Sequence, residues 1–109
     1  MAKKFEVVFI EEAKKDYKKL DGSIKKFVDV ALAKMEERAD ELGEDLTSKH
    51  GLNLIGCRKI KFRKAGIRLV YRIVGDKAEI AEIIMVGKRE DNEVYQEAYK
   101  RLQELKRDS

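Results

Sequence analysis

Residues 57–72 have the sequence CRKIKFRKAGIRLVYR, in which basic and apolar side chains alternate on both sides of a short turn. This alternation predicts two strands, because successive side chains of a strand point to opposite faces of a sheet. A hairpin loop at Lys64 and Ala65 would then place Lys61 opposite Arg68. The stretch holds seven of the chain's 25 basic residues and no acidic residue, so we expect a sheet face that attracts phosphate.

Further strands extend this hairpin toward the C-terminus. Strands are predicted over 58–63, 67–74 and 78–86, because β-branched and aromatic residues are concentrated there. Turns at 64–66 and 75–77 contain glycine and connect them closely. The pattern therefore predicts a three-stranded antiparallel meander.

A final helix is predicted after the meander, with a cap at Asp91 or Asn92. Apolar residues recur at helical spacing, so one stripe should pack against the protein while the basic residues face water. The stripe is Val94, Ala98, Leu102 and Leu105, and the basic residues are Lys100, Arg101 and Lys106.

The N-terminal half predicts one strand and two helices. Residues 5–10 are β-branched and aromatic, and the acidic pair that follows suits the first turn of a helix. A break at residues 21–23 lets Ser23 cap a second helix, whose apolar residues recur every three or four positions as far as Gly43. The two helices should form a hairpin.

Residues 44–56 follow neither period and predict a loop, with a short helical turn over 46–49. The acids between Glu36 and Asp45 predict a solvated helix end. The fold class is therefore α+β, with a single domain over 1–109. An antiparallel β-sheet would carry the N-terminal helical hairpin on one face, with a C-terminal helix besides.

Composition narrows the class of protein. Hydrophobic residues make up 43% and charged residues 42% of the 109 residues, which is typical of a folded domain with a densely charged surface. Since Cys57 is the only cysteine and His50 the only histidine, we expect no internal disulfide, no zinc site and no other metal. No apolar run is long enough to span a membrane and no signal peptide is evident. We therefore expect a cytoplasmic protein that needs neither a membrane nor a small-molecule cofactor.

The basic face has two interpretations. Lys59, Lys61 and Arg63 share one face of the predicted strand, and we expect that face to be open to solvent. Lysine and arginine are ordinary residues on a solvated sheet face, so the local pattern alone does not require a ligand. Like charges opposite each other cost about 0.2–1 kcal/mol, and a bound phosphate would reverse the sign of that term. We favour a phosphate-binding surface.

The end of the meander adds to this surface. Lys88 and Arg89 precede the last helix, whose N-terminus attracts anions through its dipole and its free N–H groups. Tyr95 falls one position off the apolar stripe, at the boundary between core and cleft. An isolated tyrosine at such a position is more often a packing residue.

The second half of the chain carries motifs that resemble those of a known family. They are Lys59-Ile-Lys61, then Gly66-Ile-Arg68-Leu-Val-Tyr71-Arg72, then Val86-Gly87-Lys88-Arg89-Glu90, and Glu93-Val-Tyr95-Gln-Glu-Ala98 followed by Arg101-Leu102. Their order and spacing resemble the RelE type of the RelE/ParE toxin superfamily, while the N-terminal half agrees in pattern only. The resemblance implies a small α+β fold and membership of a bacterial or archaeal type II toxin–antitoxin pair.

The RelE type implies cleavage of messenger RNA on the ribosome, without metal, by attack of the RNA's own 2′-OH on the adjacent phosphate. By position, the resemblance implies five catalytic residues, and we expect three basic neighbours to bind RNA. The catalytic residues would be Lys59, Lys61, Arg68, Arg89 and Tyr95, and the RNA-binding residues would be Arg63, Lys64 and Lys88.

Chemical roles follow from these residue types. Lys59, Lys61 and Arg68 would stabilise the pentacoordinate phosphate, and their mutual repulsion would lower the pKa of a lysine or tyrosine enough for proton transfer. Tyr95 or Lys61 would be the base, and Arg89 would orient the phosphate or help the leaving group. The implied partners are a cognate antitoxin that covers or distorts the basic cleft, mRNA in the ribosomal A site, and ribosomal RNA.

The chain departs from the family pattern before the meander. The family's Leu-Arg-Gly element is replaced by Asn53-Leu54-Ile55-Gly56, so an arginine for ribosome docking is missing there. The longer second helix, with the acidic stretch that ends near Asp45, is interpreted as a solvated element. Two rival functions stay open. One is a ParE-like inhibitor of DNA gyrase, which shares the fold but not the residue set, and the other is an inert module that binds RNA or an antitoxin without cleavage.

Overall fold

The computed structural model of the chain describes residues 4–46, 54, 56–88 and 90–107. Within these residues one mixed sheet of five strands is combined with helices. In chain order the elements are β1 (Glu6–Phe9), α1 (Glu11–Lys18), α2 (Gly22–Arg38), β2 (Glu44–Asp45), β3 (Cys57–Phe62), β4 (Ile67–Val74), β5 (Ile80–Gly87) and α3 (Asp91–Arg107). The α+β class is thereby confirmed.

The sheet has the strand order β1-β5-β4-β3-β2. β3, β4 and β5 form the predicted antiparallel meander, and β2 is antiparallel to β3. β1 pairs with β5 in parallel, so the expectation of a wholly antiparallel sheet is wrong at this edge. The reason is topological, because the helical hairpin between β1 and the meander is long enough to return the chain for a parallel pairing.

The β3–β4 hairpin has the predicted register, with Lys61 opposite Arg68. Its turn spans 63–66 and is closed by the amide of Gly66, which donates to the carbonyl of Phe62 at 2.8 Å. An irregularity between Val70 and Tyr71 shifts the β4–β5 register. Because a bulge adds one residue to one strand only, it changes which β5 side chains share a face with those of β4.

Both ends of α2 differ from the prediction. The side chain of Asp21, not Ser23, caps α2 and accepts from the Ser23 amide at 3.4 Å. α2 ends at Arg38 rather than near Gly43, although the apolar period continues. The end is set by tertiary contacts, since the buried hydroxyl of Tyr71 donates to the carbonyl of Ala39 at 2.6 Å.

Helices cover both faces of the sheet, with a separate apolar cluster under each. The hairpin face buries Val28 and Met35 of α2 against Leu69 and Tyr71 of the sheet. The α3 face buries Val94, Ala98 and Leu102 of α3, together with Cys57, Val70, Ile84 and Met85 of the sheet. Cys57 is buried as predicted.

β2 was not predicted, because a strand of two residues is too short to show a period. The predicted helical turn over 46–49 lies outside the described residues, except for Leu46, which is buried in the α3-face cluster. The predicted caps Asp91 and Asn92 concern side chains that are likewise outside the description. Over the part of the chain that the structure describes, no helix has the length and apolar character needed to cross a membrane.

Candidate active site

The site begins with the turn that follows α2, because this turn fixes where β2 enters the sheet. The single hydroxyl proton of Tyr71 is shared between the carbonyl of Ala39 at 2.6 Å and that of Leu42 at 3.0 Å. Arg58 donates to the carbonyls of Leu42 and Gly43 at 2.6 and 3.3 Å. Burial is the main cause that raises the pKa of Tyr71, so its hydroxyl keeps the proton that it donates. Two sheet side chains thus hold the carbonyls at the end of the turn.

Gly43 then brings the chain close to β3. Its φ is +70°, a conformation that favours glycine, and a Cβ there would collide with the backbone carbonyl of Lys59. β2 follows at once, with Glu44 paired to Lys59 and Asp45 paired to Arg58. Glu44 therefore lies on the face of Lys59, and its carboxylate is 3.8 Å from the Lys59 ammonium.

Lys59 is buried, with 7% of its surface exposed, because α3 covers this part of the sheet. Its ammonium donates to the hydroxyl of Tyr95 at 2.8 Å, and Tyr95 is itself only 3% exposed. The prediction that the lysine face is open to solvent is therefore wrong at Lys59. It holds at Lys61, which is exposed two residues further along β3, nearer the hairpin turn.

Lys61 and Arg68 form the second part of the site. They are directly opposite each other on β3 and β4, and Arg68 is in turn paired with Gly87 of β5. A small depression of about 240 Å³ opens beside Arg68 and is lined also by Lys88 and Glu93. The depression is therefore bordered by two cations, Arg68 and Lys88, and by two carboxylates, Glu90 and Glu93.

The predicted RNA-binding residues lie outside the strands. Arg63 and Lys64 lie exposed in the β3–β4 turn, and Lys88 is exposed after β5. Arg89 lies outside the described residues, so its predicted place beside the phosphate stays a prediction. The structure therefore brings together Lys59, Lys61, Arg68 and Tyr95.

Two other cations of the basic stretch make internal contacts instead. Arg58 holds the turn after α2, and Arg72 forms an ion pair with Glu82 of β5 at 2.7 Å. Glu82 of β5 thus supplies an acid that residues 57–72 lack, and backbone carbonyls accept the hydrogen bonds of Arg58.

Further along α3, the side chain of Arg101 is only 6% exposed and fixes the helix to the rest of the protein. The prediction that Arg101 faces water is wrong. Its guanidinium donates to Asp16 of α1 at 2.7 Å, to Glu97 at 2.8 Å and to the carbonyl of Ile84 at 2.9 Å. Burial lowers the pKa of Arg101, but hydrogen bonds to Asp16 and Glu97 outweigh it and raise the pKa above its usual value.

Asp16 and Arg101 also complete the edge of β5. β1 ends at Phe9, and the last contact along it is the Ile10 amide, which donates to the carbonyl of Ile83. Beyond that point, Asp16 accepts from the Val86 amide at 3.2 Å while Arg101 donates to the Ile84 carbonyl. The ion pair thus replaces a strand and fixes α3 to the sheet.

Sequence reasoning missed Glu44, Asp16 and Arg101 as residues that shape the site. Glu44 was counted among the solvated acids, and the one local signal for it is the preceding Gly43, which permits a close approach to β3. Asp16 and Arg101 are 85 residues apart in sequence and carry no local signal of their contact. Their roles depend on which elements pack together.

The described arrangement is suited to stabilising a phosphate that gains negative charge. It presents a buried ammonium, an exposed ammonium and a guanidinium on one face, with a phenol and a carboxylate at the buried ammonium. Among the described residues no group of three or more His, Cys, Asp and Glu side chains is arranged to hold a metal ion.

Comparison with protein families and with known proteins gives matches that agree with one another. A family model described as "ParE toxin of type II toxin-antitoxin system, parDE" matches residues 7–93. The chain is 35% identical to the mRNA interferase toxin RelE of Escherichia coli K12 over 94 residues, which cover 86% of this chain and 93% of that protein. It is also 33% identical to a putative RelE-like toxin protein of E. coli over 91% of this chain and 98% of that one.

The solved structures that are similar to this chain agree with these matches. A double arginine-to-alanine mutant of E. coli RelE in the free state superposes with a TM-score of 0.67 and 34% identity, over 93% of this chain and 98% of that one. The same kind of mutant in complex with a peptide of the antitoxin RelB gives a TM-score of 0.63 and 32% identity, over 90% and 95% of the chains. A RelBE toxin–antitoxin complex from Mycobacterium tuberculosis gives 0.63 and 26% identity, over 84% and 97%.

Proposed function

The chain belongs to the RelE/ParE superfamily of type II toxin–antitoxin toxins, and we propose that it is an endoribonuclease of the RelE type. Its substrate would be messenger RNA in the ribosomal A site. The observation that carries the proposal is the contact between Lys59 and Tyr95, which joins two positions of the RelE residue set across 36 residues of sequence, beside the pair of Lys61 and Arg68.

The reaction is an internal displacement at phosphorus. The 2′-OH loses its proton and attacks the adjacent phosphate, and the bond to the 5′-oxygen breaks to leave a 2′,3′-cyclic phosphate and a 5′-OH. Charge builds on the phosphate oxygens in the transition state, where fixed positive groups act most strongly. Lys59, Lys61 and Arg68 supply that charge, and Arg89 orients the phosphate or helps the leaving group.

The ribosome supplies the geometry that a free RNA lacks. Holding the 2′-OH in line with the leaving oxygen removes much of the entropic barrier, so a small enzyme with a sparse site depends on a held codon. The exposed cations Arg63, Lys64 and Lys88 contact mRNA or ribosomal RNA phosphates around it. The chain works in the cytoplasm, where ribosomes are found, with no metal or small-molecule cofactor.

A cognate antitoxin is the second partner. E. coli RelE is solved in complex with antitoxin RelB, and the M. tuberculosis relative is solved as a toxin–antitoxin complex. We propose that an antitoxin of the same kind binds this chain and covers or distorts the basic cleft. Acidic side chains on the antitoxin would match the cations that flank Lys61 and Arg68.

Translating ribosomes with a defined message test the function. We expect the wild-type chain to cut within A-site codons and to leave free RNA almost intact. Lys61→Ala, Arg68→Ala and Tyr95→Phe should each slow cleavage, whereas Lys34→Ala, on the outer surface of α2, should not. Mapping of RNA ends gives the readout, and the absence of codon-linked cuts with wild-type protein would refute the nuclease.

The description of the matching family model as ParE favours one alternative, inhibition of DNA gyrase. The presence of the RelE set argues against it, since charges arranged for a phosphate have no evident task in gyrase binding. Supercoiling by gyrase in the presence of the chain decides between them. An inert module would bind ribosomes in a salt-dependent way without cutting.

A further inference from the structure

The base of this reaction is not assigned by the RelE residue set, and β2 brings a suitable group to the site. Glu44 is paired with Lys59 across β2 and β3 and lies on the same face. Its carboxylate is 3.8 Å from the Lys59 ammonium, and its side chain is 56% exposed, so an RNA in the cleft can reach it.

Protonation states distinguish Glu44 from the other groups. A base must be able to accept a proton at neutral pH, and in model peptides lysine and tyrosine carry theirs whereas glutamate is ionised. A carboxylate beside an ammonium also remains charged when RNA excludes water from the cleft. Within the described part of the site, Glu44 is the group at Lys59 that meets both conditions.

Three features fix Glu44 in this position. Tyr71 and Arg58 hold the carbonyls of the preceding turn, and Gly43 allows the backbone to approach Lys59. The backbone position of Glu44 therefore results from partly buried contacts with the sheet rather than from a free surface helix. Such support is what a group that must meet a reacting atom requires.

We propose that Glu44 is the general base of RNA cleavage, an inference that rests on the proposed ribonuclease function. A Glu44 carboxylate oxygen takes the proton of the 2′-OH as the 2′-oxygen forms its bond to phosphorus. The bond between phosphorus and the 5′-oxygen breaks, and that oxygen takes a proton from water or from an ammonium of the site. Glu44 then returns its proton to solvent.

Several titratable groups face the cleft with Glu44. Lys59 and Lys61 lie on its face from β3, Arg68 from β4 and Tyr95 from α3, while Glu90 and Glu93 border the depression beside Arg68. Glu44→Gln removes the proton acceptor beside Lys59 and leaves Glu90 and Glu93 in place, which distinguishes Glu44 from these two acids.

The decisive experiment compares Glu44→Gln with Asp45→Asn in single-turnover cleavage on programmed ribosomes between pH 5 and 8. Both variants remove one negative charge from β2, but Asp45 is paired with Arg58 rather than with Lys59. We expect Glu44→Gln to cleave about 10²- to 10⁴-fold more slowly with unchanged ribosome affinity. Asp45→Asn should stay within about threefold of wild type, as expected for a group that transfers no proton.

A substrate with sulfur in place of the bridging 5′-oxygen sharpens the test, because a thiolate leaves without a proton. Glu44→Gln should stay slow on it, and rescue by sulfur would overturn the assignment as base. Near-wild-type cleavage by Glu44→Gln would overturn the inference while the ribonuclease stands. A wild-type chain that never cuts ribosome-bound RNA would refute the function itself, and Glu44 with it.

Discussion

Lys59 and Arg101 are both buried cations on the face of the sheet that α3 covers, yet their surroundings differ. Arg101 is bonded to Asp16 and Glu97 at 2.7–2.8 Å and to a backbone carbonyl. Lys59 meets a phenol hydroxyl at 2.8 Å and a half-exposed carboxylate at 3.8 Å. The first cation is neutralised by close, partly buried carboxylates, whereas Glu44, which is paired with the second, is more distant and half exposed.

This difference separates a structural charge from a functional one. A buried charge with close acidic partners holds elements together, and removing it leaves the partners unpaired. A buried charge with looser partners costs stability, and a protein tolerates that cost where the charge acts on a ligand. Substituting each cation should therefore affect a different property.

The largest effect is expected on cleavage, from Lys59→Met. Methionine keeps the buried stem but removes the charge that stabilises the transition state, so the single-turnover rate should fall about 10²- to 10³-fold. The free energy of unfolding should change by less than about 1 kcal/mol, because methionine keeps the buried stem and Glu44, which loses its cation, is half exposed and stays solvated. Lys34→Met serves as the control on the surface of α2. A marked loss of stability with cleavage intact would show that Lys59 belongs with Arg101.

Arg101→Met should be the most destabilising of these changes. It leaves Asp16 without its closest cation and breaks the completion of the β5 edge, so the free energy of unfolding should fall by about 3–5 kcal/mol. Arg101→Lys should recover only part of this, because one ammonium cannot reach both carboxylates and the Ile84 carbonyl together. Denaturant unfolding measures the loss against Lys100→Met, an exposed neighbour on α3. A loss no larger than that of the control would contradict a structural role.

A substitution at Gly43 tests the close approach of β2 to Lys59. Gly43→Ala adds strain at a φ of +70° and a collision with the Lys59 carbonyl, and we expect a loss of about 2–4 kcal/mol. Gly66→Ala is the matched control, since its φ is +67° and nothing lies within 4 Å of its added Cβ. It should lose only about 1–2 kcal/mol. Equal losses in thermal unfolding would mean that the contact with Lys59 is loose.

Substitution of Cys57 should have the smallest effect, which is a change in stability at alkaline pH only. Burial is the main cause that raises its pKa to about 11. An unfolded thiol ionises near pH 8.5–9, so the folded state holds the extra proton between those values, and stability falls as pH rises through this window. Cys57→Ala should remove up to about 2 kcal/mol of that fall between pH 9 and 11, measured as the difference between the two proteins' pH profiles. Identical slopes would refute the burial effect.

The sequence determined the local parts of this fold. Alternation and glycine turns predicted the meander and the pairing of Lys61 with Arg68, because strand faces and hairpin register follow from neighbours in the chain. Motif order predicted a set of site residues, of which Lys59 and Tyr95 are in contact and Lys61 is paired with Arg68. The end of α2 and the short β2 escaped prediction, because Tyr71 and Arg58 set them from a distant part of the chain.

Only the tertiary structure decided which groups surround each cation of the chain. Lysine and arginine have the same local pattern whether they face water, a carboxylate or a phenol, so the sequence could not tell the buried Lys59 from the exposed Lys61, or place Arg101 inside. Only the packing of α3 and the entry of β2 brought Tyr95 and Glu44 to Lys59. The physical reason is that burial and Coulomb energy depend on distances between elements, which no periodicity within one element encodes.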